Sequence, residues 1–259
     1  MSAEKNYRYE KPPVIEILWE IRYQSIENWD WTIPGLLYSQ LKDKYPKKQQ
    51  VNLMEMEMQF PKGIHGPSHR TANKGIAKMI FLNQEETFLV QIAPNLIVCN
   101  QIKPYTHWND FKKNSLFVFN KYLDVIKIKS IDRINLRYID RIDIPETTFE
   151  FDDYFNYYIH YPEEMPNYET NQVLIRSTIT FKDTKGHLNI TLSSPPKRQK
   201  NVSSFIFDWE YFMDNFKGIG LEDIEKWGEE AHLYIRKAFE SCLTDKTRKL
   251  FGEKTYVSS

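Results

Sequence analysis

Glycine is scarce in this chain, with nine in 259 residues, against a usual share of roughly 7%. Neither G-x-G-x-x-G nor G-x-x-x-x-G-K-[ST] occurs. The two common glycine-built phosphate cradles are therefore missing, which argues against Rossmann and P-loop nucleotide binding. Cysteine is scarcer still: Cys99 and Cys242 stand far apart and make no disulfide framework. They read as two buried thiols in a reducing cytosol. There is no excess of charge, since 35 Lys and Arg balance 35 Asp and Glu. Duplex DNA binders draw their affinity from neutralising phosphates, so this balance argues against them. No apolar run approaches the roughly 20 residues of a membrane span. Met1 to Pro13 is polar and charged, unlike a secretory signal. A cytoplasmic protein without a membrane partner is expected.

Reaction motifs are missing too. There is no G-x-S-x-G, and neither cysteine has an evident histidine partner. The carboxylate pairs Asp152-Asp153 and Glu163-Glu164 are adjacent in sequence, so each pair diverges on a strand or helix. Glu55 and Glu57 share a strand face, but no third ligand completes a cation site. No catalytic residue, metal or cofactor is therefore assigned.

What the chain does have is core material: 41% hydrophobic and 15% aromatic residues. Residues 14–24 alternate, with Ile15, Ile17, Trp19, Ile21 and Tyr23 against Glu16, Leu18, Glu20 and Arg22. Period two predicts a strand. Helical spacing follows over 29–45, with Thr32 as cap and Pro46 as stop. A strand at 51–60 carries Met54, Met56 and Met58 on one face, read as core filling. A loop is expected over 61–74, then strands at 75–83 and 86–101, the second bent at Pro94-Asn95. A helix capped by Thr106 runs to about Lys127. The second half predicts a strand over 130–144, a short helix at 150–159 and strands at 170–182, 187–193 and 204–213. A helix over 221–243 closes it, and the tail after Gly252 is expected to fray.

Each half thus reads β-α-β-β-β-α, over about 12–128 and 129–251. Ile21-Arg22-Tyr23 echoes Leu136-Arg137-Tyr138, and Trp108 and Trp227 each stand early in a long helix. The expected fold is α+β, a single duplicated domain. Its first strands pair to form one antiparallel sheet of about eight strands, with the long helices on its apolar face. This arrangement resembles the TATA-binding-protein-like and helix-grip architectures, a likeness of fold that assigns no function.

Four stretches carry a further resemblance: Pro12-Pro13-Val14-Ile15-Glu16 leading to Glu20-Ile21-Arg22-Tyr23; Ile33-Pro34-Gly35-Leu36; Arg137-Tyr138-Ile139-Asp140-Arg141 within Ile134 to Ile144; and Ala238-Phe239-Glu240 with Thr244-Asp245-Lys246. Together they resemble an uncharacterised, sporadically distributed prokaryotic family. The resemblance implies a cytoplasmic protein of bacteria or archaea, in mobile-element or defence-related surroundings, and brings no catalytic residue with it. Trp19 departs from it, at a position where a smaller residue is expected.

The alternation places Glu16, Glu20 and Arg22 on the sheet face opposite the apolar one, with Arg133, Asn135, Arg137 and Arg141 beside them. Arg176, Thr178, Thr180, Asn189, Thr191, Asp208 and Glu210 extend that face. It is either a solvated surface of cross-strand ion pairs, such as Glu20 with Arg137, or a surface whose arginines grip a carboxylate or phosphate. The candidate binding residues are Glu20, Arg22, Arg133, Arg137, Arg141 and Arg176. Two loops add candidate contacts: His69 and Arg70 in one, Lys197 and Arg198 in the other. Both loops read first as solvated segments. The expected function is a non-enzymatic binding module for a partner protein or a small anionic ligand. The alternatives are a nucleotide- or RNA-binding protein of a toxin–antitoxin or defence setting, and a metal-dependent hydrolase or nuclease built on Glu20, Glu55, Glu57 and the arginines. The sequence sets no oligomeric state.

Overall fold

The computed structural model describes the chain except residues 1–5, 26–27, 60–67, 106, 163, 166–169, 171, 197–200 and 257–259. At 6–7, 53–59, 68–76 and 253–256 it describes the backbone alone. The elements are β1 (Asn6–Tyr9), β2 (Val14–Ser25), α1 (Thr32–Leu41), β3 (Lys47–Gln59), β4 (Ser68–Leu82), β5 (Phe88–Ala93), β6 (Leu96–Ile102), α2 (Trp108–Val125), β7 (Ile128–Ile144), α3 (Phe151–Tyr154), β8 (Leu174–Thr180), β9 (His187–Ser193), β10 (Ser203–Phe216), α4 (Leu221–Cys242), α5 (Asp245–Leu250) and β11 (Glu253–Tyr256).

Nine strands form one antiparallel sheet in the order β3-β4-β5-β6-β2-β7-β10-β9-β8. The fold is α+β, as the element pattern predicts, with one strand more than expected. The extra strand comes from 86–101, a tight hairpin rather than a single bent strand. Asn95 takes a left-handed φ of 58°, and Ala93 faces Leu96 across the turn. The first strands of the two halves, β2 and β7, pair antiparallel at the centre. The last strand of each half lies beside its first, β6 on β2 and β10 on β7.

The inner face is the core. Ile17, Trp19, Ile21 and Tyr23 from β2 meet Ile134, Leu136 and Tyr138 from β7 and Phe207, Trp209 and Tyr211 from β10, all buried. The long helices α2 and α4 cover this face with Phe111, Val118, Phe119, Ile224, Ala231 and Ile235. Trp19 is the hub. Its ring lies 5.3 Å from Phe119, 5.8 Å from Trp108 and 6.3 Å from Trp227. Gly228 of α4 makes room for it, because a Cβ there would run into the indole. The bulk of Trp19 is therefore met by a helix residue with no side chain.

Several boundaries differ from the periodicity, each for a local reason. At α1, Asp30 rather than Thr32 takes the capping role, its Oδ1 accepting from the Thr32 amide at 2.7 Å and hydroxyl at 2.5 Å. The helix ends at Leu41 in a turn closed by the Tyr45 amide on the Leu41 carbonyl, before Pro46. The expected cap Thr106 lies outside the described residues. β4 begins at Ser68, so His69 and Arg70 pair with Met58 and Glu57 in a ladder instead of sitting in a loop. α3 stops at Tyr154 because Phe155 is drawn into a bridge with Leu243. Residues 253–256 do not fray, since β11 pairs with β1 in a separate two-stranded sheet.

Candidate functional site

All the described helices contribute to the inner layer, which leaves the outer face of β2, β7, β10, β9 and β8 as the surface on which the predicted residues fall. Register decides which of them meet. Arg137 is opposite Glu210 and Leu18, yet it reaches diagonally to Asp208 in a bidentate grip, Nε to Oδ1 at 2.7 Å and Nη2 to Oδ2 at 2.5 Å. These bonds push the Arg137 pKa up against the cost of its partial burial. The expected pair of Glu20 with Arg137 does not form. Glu20 takes Arg22 instead, at 2.6 Å, because two residues apart on one strand share a face.

Arg133 binds Glu210 at 3.1 Å and Asp214 at 3.2 Å, with its guanidinium 3.7 Å above the Phe212 ring. Arg22 and Arg133 are directly opposed. The repulsion of this like-charged pair is offset because each holds a carboxylate of its own. Arg141 binds Asp143 at 3.0 Å and the Ser204 hydroxyl at 2.8 Å. At the centre Asn135, 5% exposed, points its Nδ2 at Glu20 (3.4 Å) and Glu210 (3.5 Å). Asn189 Nδ2 donates to the other Glu210 oxygen at 2.9 Å, and Thr178 donates to Asn189 Oδ1 at 2.7 Å. This ladder runs unbroken from β2 to β8. Arg176, exposed on β8 beside Thr191, has no ion pair among the described residues.

The predicted residues therefore divide. Glu20, Arg22, Arg133, Arg137 and Arg141 come together in one network, and Arg176 lies at its margin. His69 and Arg70 have described backbone only, on β4, with β5 and β6 between them and β2. Lys197 and Arg198 lie outside the described residues. Glu55 and Glu57 are on β3, four strand spacings from Glu20 on β2, or about 19 Å at 4.8 Å per strand. The backbone of β3 thus stands well apart from that of β2 in the sheet order.

The β4–β6 side of the outer face has a different character. Ile80, Leu82 and Val98 are buried there at 8%, 4% and 6% exposure, outside the main core cluster. Asn100 lies among them and donates to Glu16 Oε1 at 2.5 Å. The polar alternation read along β2 and β7 does not carry across to these strands.

A second constellation, beneath the sheet, escapes the sequence reading. Asp140 takes an inward position on β7, between Tyr138 and Ile142, and is 3% exposed. Trp209 Nε1 donates to its Oδ2 at 2.9 Å, while its Oδ1 has no partner among the described residues. Burial first, with the Asp208 charge adding to it, pushes the Asp140 carboxyl up to about 7 against the pull of the Trp209 bond. Nearby, the Tyr138 hydroxyl meets His232 Nδ1 at 2.9 Å, and His232 stacks on Trp108 at 4.6 Å. Burial, then Arg236, push His232 down to about 4, so its ring is neutral at pH 7. Trp108 Nε1 in turn donates to Glu229 at 3.0 Å. The signal was present as a carboxylate at an inward position of a period-two strand. Of this cluster only the Asp140 carboxyl is shifted to near neutrality. Among the described residues, no group of three metal-binding side chains occurs, and no helix is long and apolar enough to cross a membrane. No protein-family model matches this chain, and no curated protein is similar to it.

Proposed function

We infer that this protein is a binding module that presents the outer face of its sheet to a partner protein. The carrying observation is the Arg137–Asp208 grip and the ladder around it. A small anion would have to displace carboxylates that already hold Arg22, Arg133, Arg137 and Arg141, and would meet Glu16, Glu20, Asp208, Glu210 and Asp214 as it did so. A nucleic-acid backbone meets the same repulsion. A protein surface of mixed sign does not, because it can complement alternating charges in place. The network also holds its side chains before any partner arrives, which lowers the ordering cost of association.

The resemblance to a sporadically distributed prokaryotic family is part of the same proposal, together with a cytoplasmic location and a defence or mobile-element setting. It rests on the four stretches that carry it. A duplicated origin for the two halves also belongs here, supported by the mirrored strand order about β2 and β7.

The test is native mass spectrometry of the protein captured from its own host. Wild type and Leu233→Glu, a change on the exposed side of α4, should retain the same protein partner. Arg22→Glu combined with Thr191→Glu, both on the outer face, should lose it by at least tenfold. A partner indifferent to that double change, or a retained nucleotide or RNA in its place, would overturn the proposal.

A further inference from the structure

The two edges of the main sheet are unlike. β3 opens with Lys47-Lys48 and is broken by register shifts at Val51/Asn52 and Asn52/Met54. Lys47 is tied to Glu86 at 2.8 Å. Lysines and bulges are what a sheet edge carries when it must not pair. β8 has neither. Its seven residues, Leu-Ile-Arg-Ser-Thr-Ile-Thr, include no proline and one charge, and pair with β9 in unbroken register. Among the described residues β8 has no strand on its other side, so a row of backbone donors and acceptors faces outward there.

Exposed apolar residues are concentrated in β8 and in the stretch of chain that leads into it. Of the eleven large hydrophobic side chains exposed among the described residues, five fall between 158 and 179: Tyr158, Ile159, Met165, Leu174 and Ile179. Leu174 is 70% exposed. The segment leading into β8 packs against it from within. Tyr157 bonds Ser177 Oγ at 2.9 Å, and Ile159 shares a small cavity with Val173 and Ile175.

We propose that β8 is a self-pairing edge, where two copies of this chain join antiparallel about Ser177 and run their two nine-stranded sheets into one. The strand is complementary to itself in the register that uses all seven residues. Ser177 meets Ser177 of the second copy, Ile175 meets Ile179, Arg176 meets Thr178 and Leu174 meets Thr180. On the inner side the exposed Ile179 is covered by Ile175 of the second copy. On the outer side no like charges face each other, because the two Arg176 side chains are offset diagonally. A shift of two residues would set Arg176 against Arg176, which is repulsive. This goes beyond the partner surface proposed above, which uses the sheet's outer face and not its edge.

The test is sedimentation equilibrium of the purified chain across a concentration series, with three edge variants and a cross-linking pair. The wild type should be a dimer. Ile179→Lys and Leu174→Lys should each raise the dimer Kd at least tenfold with an unchanged circular dichroism spectrum. Val51→Lys on the β3 edge should leave it alone. Ser177→Cys should give a disulfide-linked dimer on mild oxidation, since opposed residues of an antiparallel pair lie about 4.5–5.5 Å apart at Cα, within disulfide reach. Thr180→Cys, remote from its own copy in this register, should not. The native thiols, both buried, should add no background. A monomer up to about 1 mM, a dimer indifferent to both edge lysines, or cross-linking through position 180 in place of 177 would each overturn the proposal.

Discussion

Asp140 and Asp208 stand on neighbouring strands, in adjacent rows, on opposite faces of one sheet. Asp208 faces out, half-buried, and both its oxygens are held by Arg137. Asp140 faces in beneath the helices, with one oxygen on Trp209 and the other without a partner among the described residues. The same side chain is an anchored anion on one face and a carboxyl pushed up to about 7 on the other. At Asp140 desolvation raises the carboxyl, with no cation paired to it among the described residues. The faces thus differ in make-up: the inner one is the core built around a raised carboxyl, and the outer one holds its charges in pairs.

That contrast can be broken in four places. The largest effect is expected at the hub of the inner face. Trp19→Ala should cost about 3–5 kcal/mol in denaturant unfolding, because three aromatic rings and Gly228 close on the indole; a loss below 1 kcal/mol would show that the helices do not depend on it. Next comes Asp140. Its carboxyl is raised from 3.8 to about 7, so its stabilising contribution is complete below pH 3.8 and lost as pH rises through 7. Relative to Asp140→Asn, the wild type should lose about 3 kcal/mol of stability between pH 5 and pH 9. Parallel stability curves for the two proteins would place no proton on Asp140.

Arg137→Ala tests the outer face. The pair is partly solvated, at 38% and 24% side-chain exposure, so the cost should lie between a surface and a buried ion pair, about 1–2 kcal/mol. A cost of 4 kcal/mol would make the ladder a structural necessity instead of a display surface. Smallest is Arg176→Ala, which should change stability by less than about 0.5 kcal/mol. A larger loss would mean that β8 depends on this side chain even though it has no ion pair among the described residues.

Much of the inner face was legible in the sequence. Alternation along 14–24 and 130–144 gave both central strands, and 3.6-residue spacing gave both long helices, because burial imposes those periods. The outer face was legible residue by residue but not pair by pair. Strand parity says that Arg137 and Glu20 share a face, whereas partners are set by register and side-chain reach, which brought Asp208 to Arg137 and Arg22 to Glu20. Bulges complicate this further: the register of β2 on β7 shifts at Val14/Glu16, Arg22/Tyr23 and Gln24/Ser25, and no local signal marks those points. The hairpin at Pro94-Asn95 was hidden because apolar residues flank it on both sides. Asp140 is visible in the alternation, but its place there matters only once helices are known to cover it.

The pairing of β1 with β11 has a mechanical consequence. Asn6 lies opposite Tyr256 and Tyr9 opposite Glu253, so a load pulling the two ends apart arrives at facing residues and peels the ladder one rung at a time. Behind it the Tyr9 hydroxyl is moored to Glu240 at 2.8 and 2.9 Å, and Glu240 to Arg248 at 3.2 Å. Under tension the molecule should therefore yield first at this small zipper and pause at that mooring, with the large sheet still intact.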